Sequence, residues 1–138
     1  MELTVDDVST VRQVVKSDGD VVTARQKGRQ MALDLGFSRP DQALIATAIS
    51  ELARNIVNYA GCGEIEIGIV RRSGKTGLRV IALDDGPGIE DVETAMIDGF
   101  STGNSLGLGL PGTRRIVDDF EITSRPGHGV KVVTVKWL

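Results

Sequence analysis

Four large aliphatic residues near the middle of the chain recur at helical spacing, and these are Ile45, Ile49, Leu52 and Ile56. The intervals of four, three and four residues place their side chains on one face of an α-helix. Ser38 stands before this stretch and predicts its start, because a serine hydroxyl accepts hydrogen bonds from the free backbone N–H groups of a first turn. We expect the helix to end near residues 59–61 and to bury its aliphatic stripe in a core.

The segment after this helix changes to the alternating pattern of a β-strand. In residues 64–70 the side chains of Ile65, Ile67 and Ile69 share one face, which predicts a half-buried strand. Residues 78–83 are mostly apolar and predict a more fully buried strand, and residues 71–77 predict the hairpin turn between the two. Further strands are predicted by β-branched composition at residues 11–16, as an edge strand, and at residues 120–124 and 130–137.

Other segments predict helices at residues 22–35, 91–97 and 110–120, and a mobile glycine-rich loop at residues 99–106. The helices and strands do not follow the strict alternation of a doubly wound parallel sheet, and the two hairpins favour antiparallel neighbours. We therefore expect an α/β fold of the two-layer α+β sandwich type. Its sheet would be mixed and largely antiparallel, with the helices packed on one face.

Length and composition indicate one globular domain over residues 1–138. Apolar residues make up 41% of the chain and charged residues 25%, as in ordinary folded domains. The net charge of −3 argues against nucleic acid as a partner, because binding to phosphates requires a concentrated basic face. The first residues lack the features of a secretion signal, and the longest apolar run, residues 80–83, is too short to cross a bilayer. We expect a cytoplasmic protein without a membrane partner.

A polar flank lies beside the aliphatic stripe of the central helix, and it carries Thr47, Glu51, Asn55 and Asn58. Glu51 and Asn55 are four residues apart, so both side chains can reach one site. An amide oxygen is a neutral ligand for Mg²⁺, and a carboxylate one turn earlier can accept a proton from an attacking hydroxyl. The alternative interpretation is a solvated helix face, which is the commoner position of a single glutamate.

A turn with one acid and two glycines follows the buried strand. Gly86 and Gly88 permit a tight turn whose backbone can approach a flat ligand closely. The carboxylate of Asp84 could accept a hydrogen bond from an exocyclic amine of that ligand. Taken alone, however, this pattern also fits an ordinary Asp-Gly turn.

A second glycine-rich segment lies at the predicted start of the helix at residues 110–120, and its glycines are Gly107, Gly109 and Gly112. Such glycines let backbone N–H groups point at an anion near a helix N-terminus. A dinucleotide-binding fingerprint is excluded, because the segment follows a loop and lacks the required glycine spacing. Residues 74–76 imitate the end of a Walker A motif but join two strands, so we interpret them as a turn.

Three motifs thus occur in a fixed order, and they are Glu51-x-x-x-Asn55, Asp84-x-Gly86-x-Gly88 and Gly107-x-Gly109-x-x-Gly112. This order resembles the N, G1 and G2 boxes of the GHKL ATPase superfamily, which has the Bergerat fold. The resemblance covers about residues 22–137. Within the superfamily the motifs are similar to those of the RsbT-type switch serine/threonine kinases of the stressosome, which are related to sporulation anti-sigma factor kinases.

The resemblance implies a role for each motif residue. Glu51 would be the general base, Asn55 would hold Mg²⁺, and Asp84 would bind the adenine amino group of ATP. The glycines would shape the base pocket (Gly86 and Gly88) or bring backbone amides to the phosphates (Gly107, Gly109 and Gly112). Residues 99–106 would form the lid, which contains no lysine or arginine. A cation that contacts phosphate would then come from Arg114, Arg115 or a partner.

The resemblance also implies an activity. The chain would phosphorylate serine or threonine on STAS-domain antagonist and scaffold proteins in a bacterial stress-signalling partner switch. When released from these partners, it would bind and activate a serine phosphatase. Two alternatives stay open: an anti-sigma factor kinase of the sporulation type, with a sigma factor as second partner, and a nucleotide-gated binding module that transfers no phosphate.

Overall fold

The computed structural model describes residues 3–86, 109–124 and 127–138. Its elements in chain order are β1 (Thr4–Val15), α1 (Asp18–Leu35), α2 (Arg39–Asn55), a π-helical turn (Ile56–Ala60), β2 (Gly63–Arg72), β3 (Lys75–Asp84), α3 (Gly109–Ile116), β4 (Asp119–Ser124) and β5 (Val130–Trp137). The helix predicted at residues 91–97, the loop predicted at residues 99–106, and both Gly88 and Gly107 lie outside the described residues.

The strands form one sheet in the order β1-β2-β3-β5-β4, and every pairing between them is antiparallel. β1 is an edge strand, as predicted, but it begins at Thr4 because residues 4–6 also pair with β2, across a register irregularity between Asp6 and Val11. The turn between β2 and β3 is tighter than predicted. Arg72 already pairs with Lys75, which leaves two residues for the turn.

The hydrophobic core lies between the sheet and the helices. The four residues of the predicted aliphatic stripe, three on α2 and Ile56 in the π-helical turn, are at most 3% exposed. They share one core with Ile65 and Ile67 of β2 and Val80 of β3, and removing this apolar surface from water is the main stabilising contribution. Helices on one face of an antiparallel sheet make a two-layer α/β fold, so the predicted fold class is confirmed. No helix in the described part of the chain is both long and apolar enough to span a membrane.

Helix α1 begins four residues earlier than predicted. Ser17 caps it, because its hydroxyl accepts a hydrogen bond from the backbone N–H of Asp20 at 3.3 Å. The Asp20 carboxylate in turn accepts the backbone N–H of Lys16 at 3.0 Å, so residues 18–20 form the first turn of the helix. The helix ends where predicted, at Gly36, whose φ of 94° is left-handed.

Helix α3 ends four residues earlier than predicted, at Ile116. The residues after it are bound to the last strand instead. The backbone N–H of Asp118 donates to the Val135 carbonyl at 2.9 Å, and the Asp118 carboxylate accepts the backbone N–H of Trp137 at 2.7 Å. These hydrogen bonds draw the chain into the sheet, where β4 starts at Asp119.

The crossing of α1 and α2 depends on Gly28. A Cβ atom at this position would overlap the Cδ1 atom of Ile49, which is fully buried and cannot move aside freely. Gly19 lies in the first turn of the same helix, and among the described atoms only the Ser17 hydroxyl, at 3.8 Å, is near its would-be Cβ. Alanine at either position gains helix propensity, but only Gly28→Ala also overpacks the core.

We therefore expect Gly28→Ala to be less stable than Gly19→Ala by about 1–3 kcal/mol, the typical cost of overpacking. The free energy of unfolding from urea titration measures this difference for the two variants and the wild type. Equal stabilities of the two variants would show that the core around Gly28 accommodates the added methyl group without loss of stability.

Candidate active site

Helix α2 carries the predicted catalytic glutamate on the flank that faces α3. Glu51 is 3% exposed, so the alternative interpretation of a solvated residue is wrong for its side chain. Thr47 and Asn55 on the same flank are half-buried, and Asn58 in the π-helical turn is exposed. The polar flank therefore runs from the protein interior towards the surface.

The Glu51 carboxylate has a donor on each of its oxygens. Arg54 Nη1 lies 3.0 Å from Oε1, and the backbone N–H of Gly109 donates to Oε2 at 3.2 Å. These two contacts satisfy a buried charge, which would otherwise be costly. They also bring the first and third motifs of the sequence together, although residues 51 and 109 are far apart in the chain.

The residues of the third motif that the structure describes lie in the first turn of α3. The Gly109 carbonyl accepts the hydroxyl of Thr113 at 2.9 Å, which fixes the peptide group at the start of the helix. Gly112 and Thr113 are buried. The predicted position of these glycines at a helix N-terminus is therefore correct for Gly109 and Gly112.

Asp84 stands at the end of β3 and closes a small turn. Its Oδ1 atom accepts the backbone N–H of Gly86 at 2.9 Å. Gly86 packs against Ala60, the last residue of the π-helical turn, and a Cβ at Gly86 would lie 2.6 Å from that of Ala60. The second motif thus contacts the segment that directly follows Asn55. The third motif contacts α2 itself, through Gly109 and Glu51.

Gly129, which precedes β5, lies against the backbone of Asp84. A Cβ at Gly129 would overlap the Asp84 carbonyl oxygen, and its φ of 84° is left-handed. Asp84 and Gly129 line an open surface pocket of about 760 Å³ together with His128 and Lys131, and Glu51 and Asn55 are not among its described lining residues. His128 is exposed in the turn before β5.

Arg54 was not singled out by the sequence motifs. Its spacing from Glu51 was nevertheless a usable signal, because residues three apart on a helix are neighbours on its surface. Arg114 and Arg115, the two arginines considered as phosphate contacts, lie on the exposed side of the last turn of α3.

The family described as histidine kinase-, DNA gyrase B-, and HSP90-like ATPase matches residues 40–138, which include all three motifs. The chain belongs to this ATPase family. The predicted membership of the GHKL superfamily is thereby confirmed, and an ATPase domain of this family implies that the chain binds ATP.

Two curated relatives indicate which activity within this ATPase family the chain has. The serine/threonine-protein kinase RsbT of Bacillus subtilis (strain 168) is 52% identical over 132 residues, which cover 96% of this chain and 98% of the relative. An anti-sigma F factor of Caldanaerobacter subterraneus subsp. tengcongensis is 35% identical over 100 residues, which cover 68% of each chain. These relatives confirm the prediction of a serine/threonine-protein kinase of the partner-switching type.

A crystal structure of the RsbU and RsbW domains of Rv1364c from Mycobacterium tuberculosis has a similar fold, with a TM-score of 0.61 and 19% identity. The match covers 92% of this chain and 32% of that chain. At this identity the likeness concerns the fold alone.

Proposed function

We propose that the protein transfers the γ-phosphoryl group of Mg-ATP to serine or threonine on STAS-domain antagonist and scaffold proteins, and that the released kinase binds and activates a serine phosphatase. The observation that carries the proposal is the buried Glu51 carboxylate, which is held on one helix with Asn55 and contacts the start of α3. The name of the RsbT relative supports transfer to serine or threonine. The helices and sheet share one core, which supports a single kinase domain. We propose that this domain acts in the cytoplasm.

In the proposed reaction the partner's hydroxyl lies in line with the γ-phosphate. Glu51 accepts the hydroxyl proton while the new O–P bond forms and the bond to the β-phosphate oxygen breaks, so ADP leaves. Before ATP binds, donors on both oxygens hold the carboxylate in a fixed orientation, and a base that is already oriented favours proton transfer.

Asn55 would supply one neutral oxygen ligand to Mg²⁺. This fits the metal, because Mg²⁺ bound with a nucleotide takes one or two ligands from the protein and the others from phosphate and water. Asn55 is half-buried at the end of α2, one turn from Glu51. The metal would neutralise phosphate charge there. The backbone N–H groups of Gly107, Gly109 and Gly112 would donate hydrogen bonds to the phosphate oxygens.

Asp84 would select adenine, with Gly86 and Gly88 shaping the base pocket. Its Oδ1 atom already accepts the Gly86 N–H, and a carboxylate has lone pairs for a further donor such as the adenine amino group. The packing of Gly86 on Ala60 keeps this turn in place.

We expect Asp84→Asn to weaken ATP binding by about tenfold to a hundredfold, the range of one hydrogen bond to a charged group. An asparagine keeps an oxygen for the Gly86 N–H but presents an NH₂ group, a donor, to the adenine amine. Isothermal titration calorimetry measures the affinity. Asp85→Asn is the control, because it removes the same charge from the exposed neighbour; equal losses in both variants would leave only a general electrostatic effect.

The test of the proposed function is incubation of the protein with Mg-ATP and the STAS-domain proteins of the same organism, followed by mass spectrometry for phosphoserine and phosphothreonine. We expect stoichiometric modification of one STAS protein and none when the metal is chelated. ATP binding without any transfer would contradict the proposal and favour the nucleotide-gated module. Addition of the pathway's serine phosphatase then tests whether its activity rises with free kinase.

A second candidate is an anti-sigma factor kinase, which the similarity to the anti-sigma F factor favours. The chemistry at Glu51 would be the same, and only the second partner would differ. Co-purification of a sigma factor instead of the phosphatase would identify this alternative.

A further inference from the structure

We propose that Arg54 is a positioning residue that holds the Glu51 carboxylate in its proton-accepting orientation during phosphoryl transfer. The inference rests on the proposed role of Glu51 as the base. It starts from the observation that the two donors that the described part of the chain supplies to this carboxylate are unequal. One is a backbone N–H fixed at the start of α3, and the other is a side chain one turn along α2.

The Gly109 amide cannot serve Glu51 throughout the reaction if it also binds phosphate. A backbone N–H is a single donor, and the proposed phosphate contact would use it. Arg54 is then the described group that still holds Glu51 once ATP is bound. Its distance of 3.0 Å between Nη1 and Oε1 is that of a charge-assisted hydrogen bond.

The arginine can hold the carboxylate without blocking it. Each carboxylate oxygen has two lone-pair sites, so Oε1 can accept the guanidinium and a substrate hydroxyl at the same time. The contact is made through a single nitrogen, Nη1, so a lysine ammonium can supply a similar donor.

Burial shows that the contact serves Glu51 more than the fold. The side chain of Glu51 is 4% exposed, whereas that of Arg54 is 43% exposed. An arginine so exposed adds little packing, and its ion pair is partly screened by water. Removing it should therefore disturb the orientation of Glu51 and cost some stability, because the buried carboxylate loses a donor. No core contact is lost, so the fold and the ATP-binding turn at Asp84 should stay intact.

The experiment compares Arg54→Ala and Arg54→Lys with the wild type in phosphoryl transfer to the STAS-domain substrate. For Arg54→Ala we expect kcat to fall about tenfold to a hundredfold, the range for a misplaced reacting group, with the KM for ATP almost unchanged. Arg54→Lys should recover most of the lost kcat. Arg39→Ala is the matched control, since Arg39 is an exposed arginine at the other end of the same helix.

The outcomes separate this proposal from the proposed function. An Arg54→Ala enzyme with wild-type kcat, while Glu51→Gln is inactive, overturns the role of Arg54 alone. A rise in the KM for ATP together with the loss of kcat would mean that Arg54 binds nucleotide, which also overturns it. If Glu51→Gln keeps full activity, the base assignment itself fails. Thermal unfolding of each variant checks the fold, and if Arg54→Ala unfolds, Arg54→Gln replaces it in the same comparison.

Discussion

Replacing Glu51 by glutamine is expected to lower the rate of phosphoryl transfer by about a hundredfold to ten-thousandfold, the usual contribution of a general base. Glutamine has nearly the same shape, and its amide oxygen can still accept a hydrogen bond from the Gly109 N–H or from Arg54. It cannot accept the proton of the attacking hydroxyl. ATP affinity should therefore stay within a few-fold of the wild type, since the change acts on the chemical step.

Single-turnover transfer from labelled ATP to the proposed STAS-domain substrate measures this effect, with calorimetry for ATP affinity. Glu66→Gln is the matched control, because Glu66 is also paired with an arginine: its Oε1 lies 3.4 Å from Arg12 Nη2. Glu66 alternates with the core residues Ile65 and Ile67 along β2, so it points to the other face of the sheet. Wild-type transfer by Glu51→Gln would exclude Glu51 as the base.

Replacing Gly129 by alanine is expected to destabilise the fold by about 2–5 kcal/mol. Backbone strain at a left-handed φ accounts for about 1–2 kcal/mol of this cost, and overpacking for about 1–3 kcal/mol. The added methyl group would overlap the carbonyl oxygen of Asp84, so either the turn before β5 or the end of β3 must shift. Because Asp84 is the proposed adenine contact, ATP binding should weaken in the same variant.

Gly127→Ala is the control for strain without crowding. Gly127 has a similar φ of 78°, and a Cβ there would have no atom of the described residues within 4 Å. It should therefore lose only the strain component and keep its ATP affinity. Urea unfolding gives the stability of each variant, and calorimetry gives the affinity. If Gly129→Ala is no less stable than Gly127→Ala and binds ATP normally, the contact with Asp84 is unimportant for both folding and binding.

Hydrophobic periodicity predicted the core well. The spacing of Ile45, Ile49 and Leu52 identified the buried face of α2, and the alternation around Ile65 and Ile67 identified the inward face of β2. Both signals arise from local geometry, since 3.6 and 2 residues are the periods of a helix and a strand. Element boundaries set by distant partners were less predictable. The early end of α3 depends on hydrogen bonds between Asp118 and β5, which no local pattern reveals.

Motif order predicted the candidate site residues, but the sequence could not predict their surroundings. Taken alone, Glu51 fitted a solvated helix face as well as an active site. It is buried because α3 packs against α2 and places the Gly109 amide beside it. This contact joins residues 58 positions apart in the sequence, so its existence depends on tertiary packing. The role of Arg54 was unpredictable for a related reason. Its ion pair matters because Glu51 is buried, and that burial depends on tertiary packing.

The π-helical turn after α2 constrains how the length of this segment can vary. It carries the chain from Asn55 at the end of α2 to Ala60, which packs on Gly86 beside Asp84. An α-helix rotates by about 100° for each residue, and the wider π-helical turn rotates by somewhat less. One residue more or fewer would therefore turn the Ala60 side chain away from Gly86. Exposed positions here, such as Asn58 and Tyr59, can change in residue type at little cost. We therefore expect functional variants of this kinase to carry no insertion or deletion between Asn55 and Gly63.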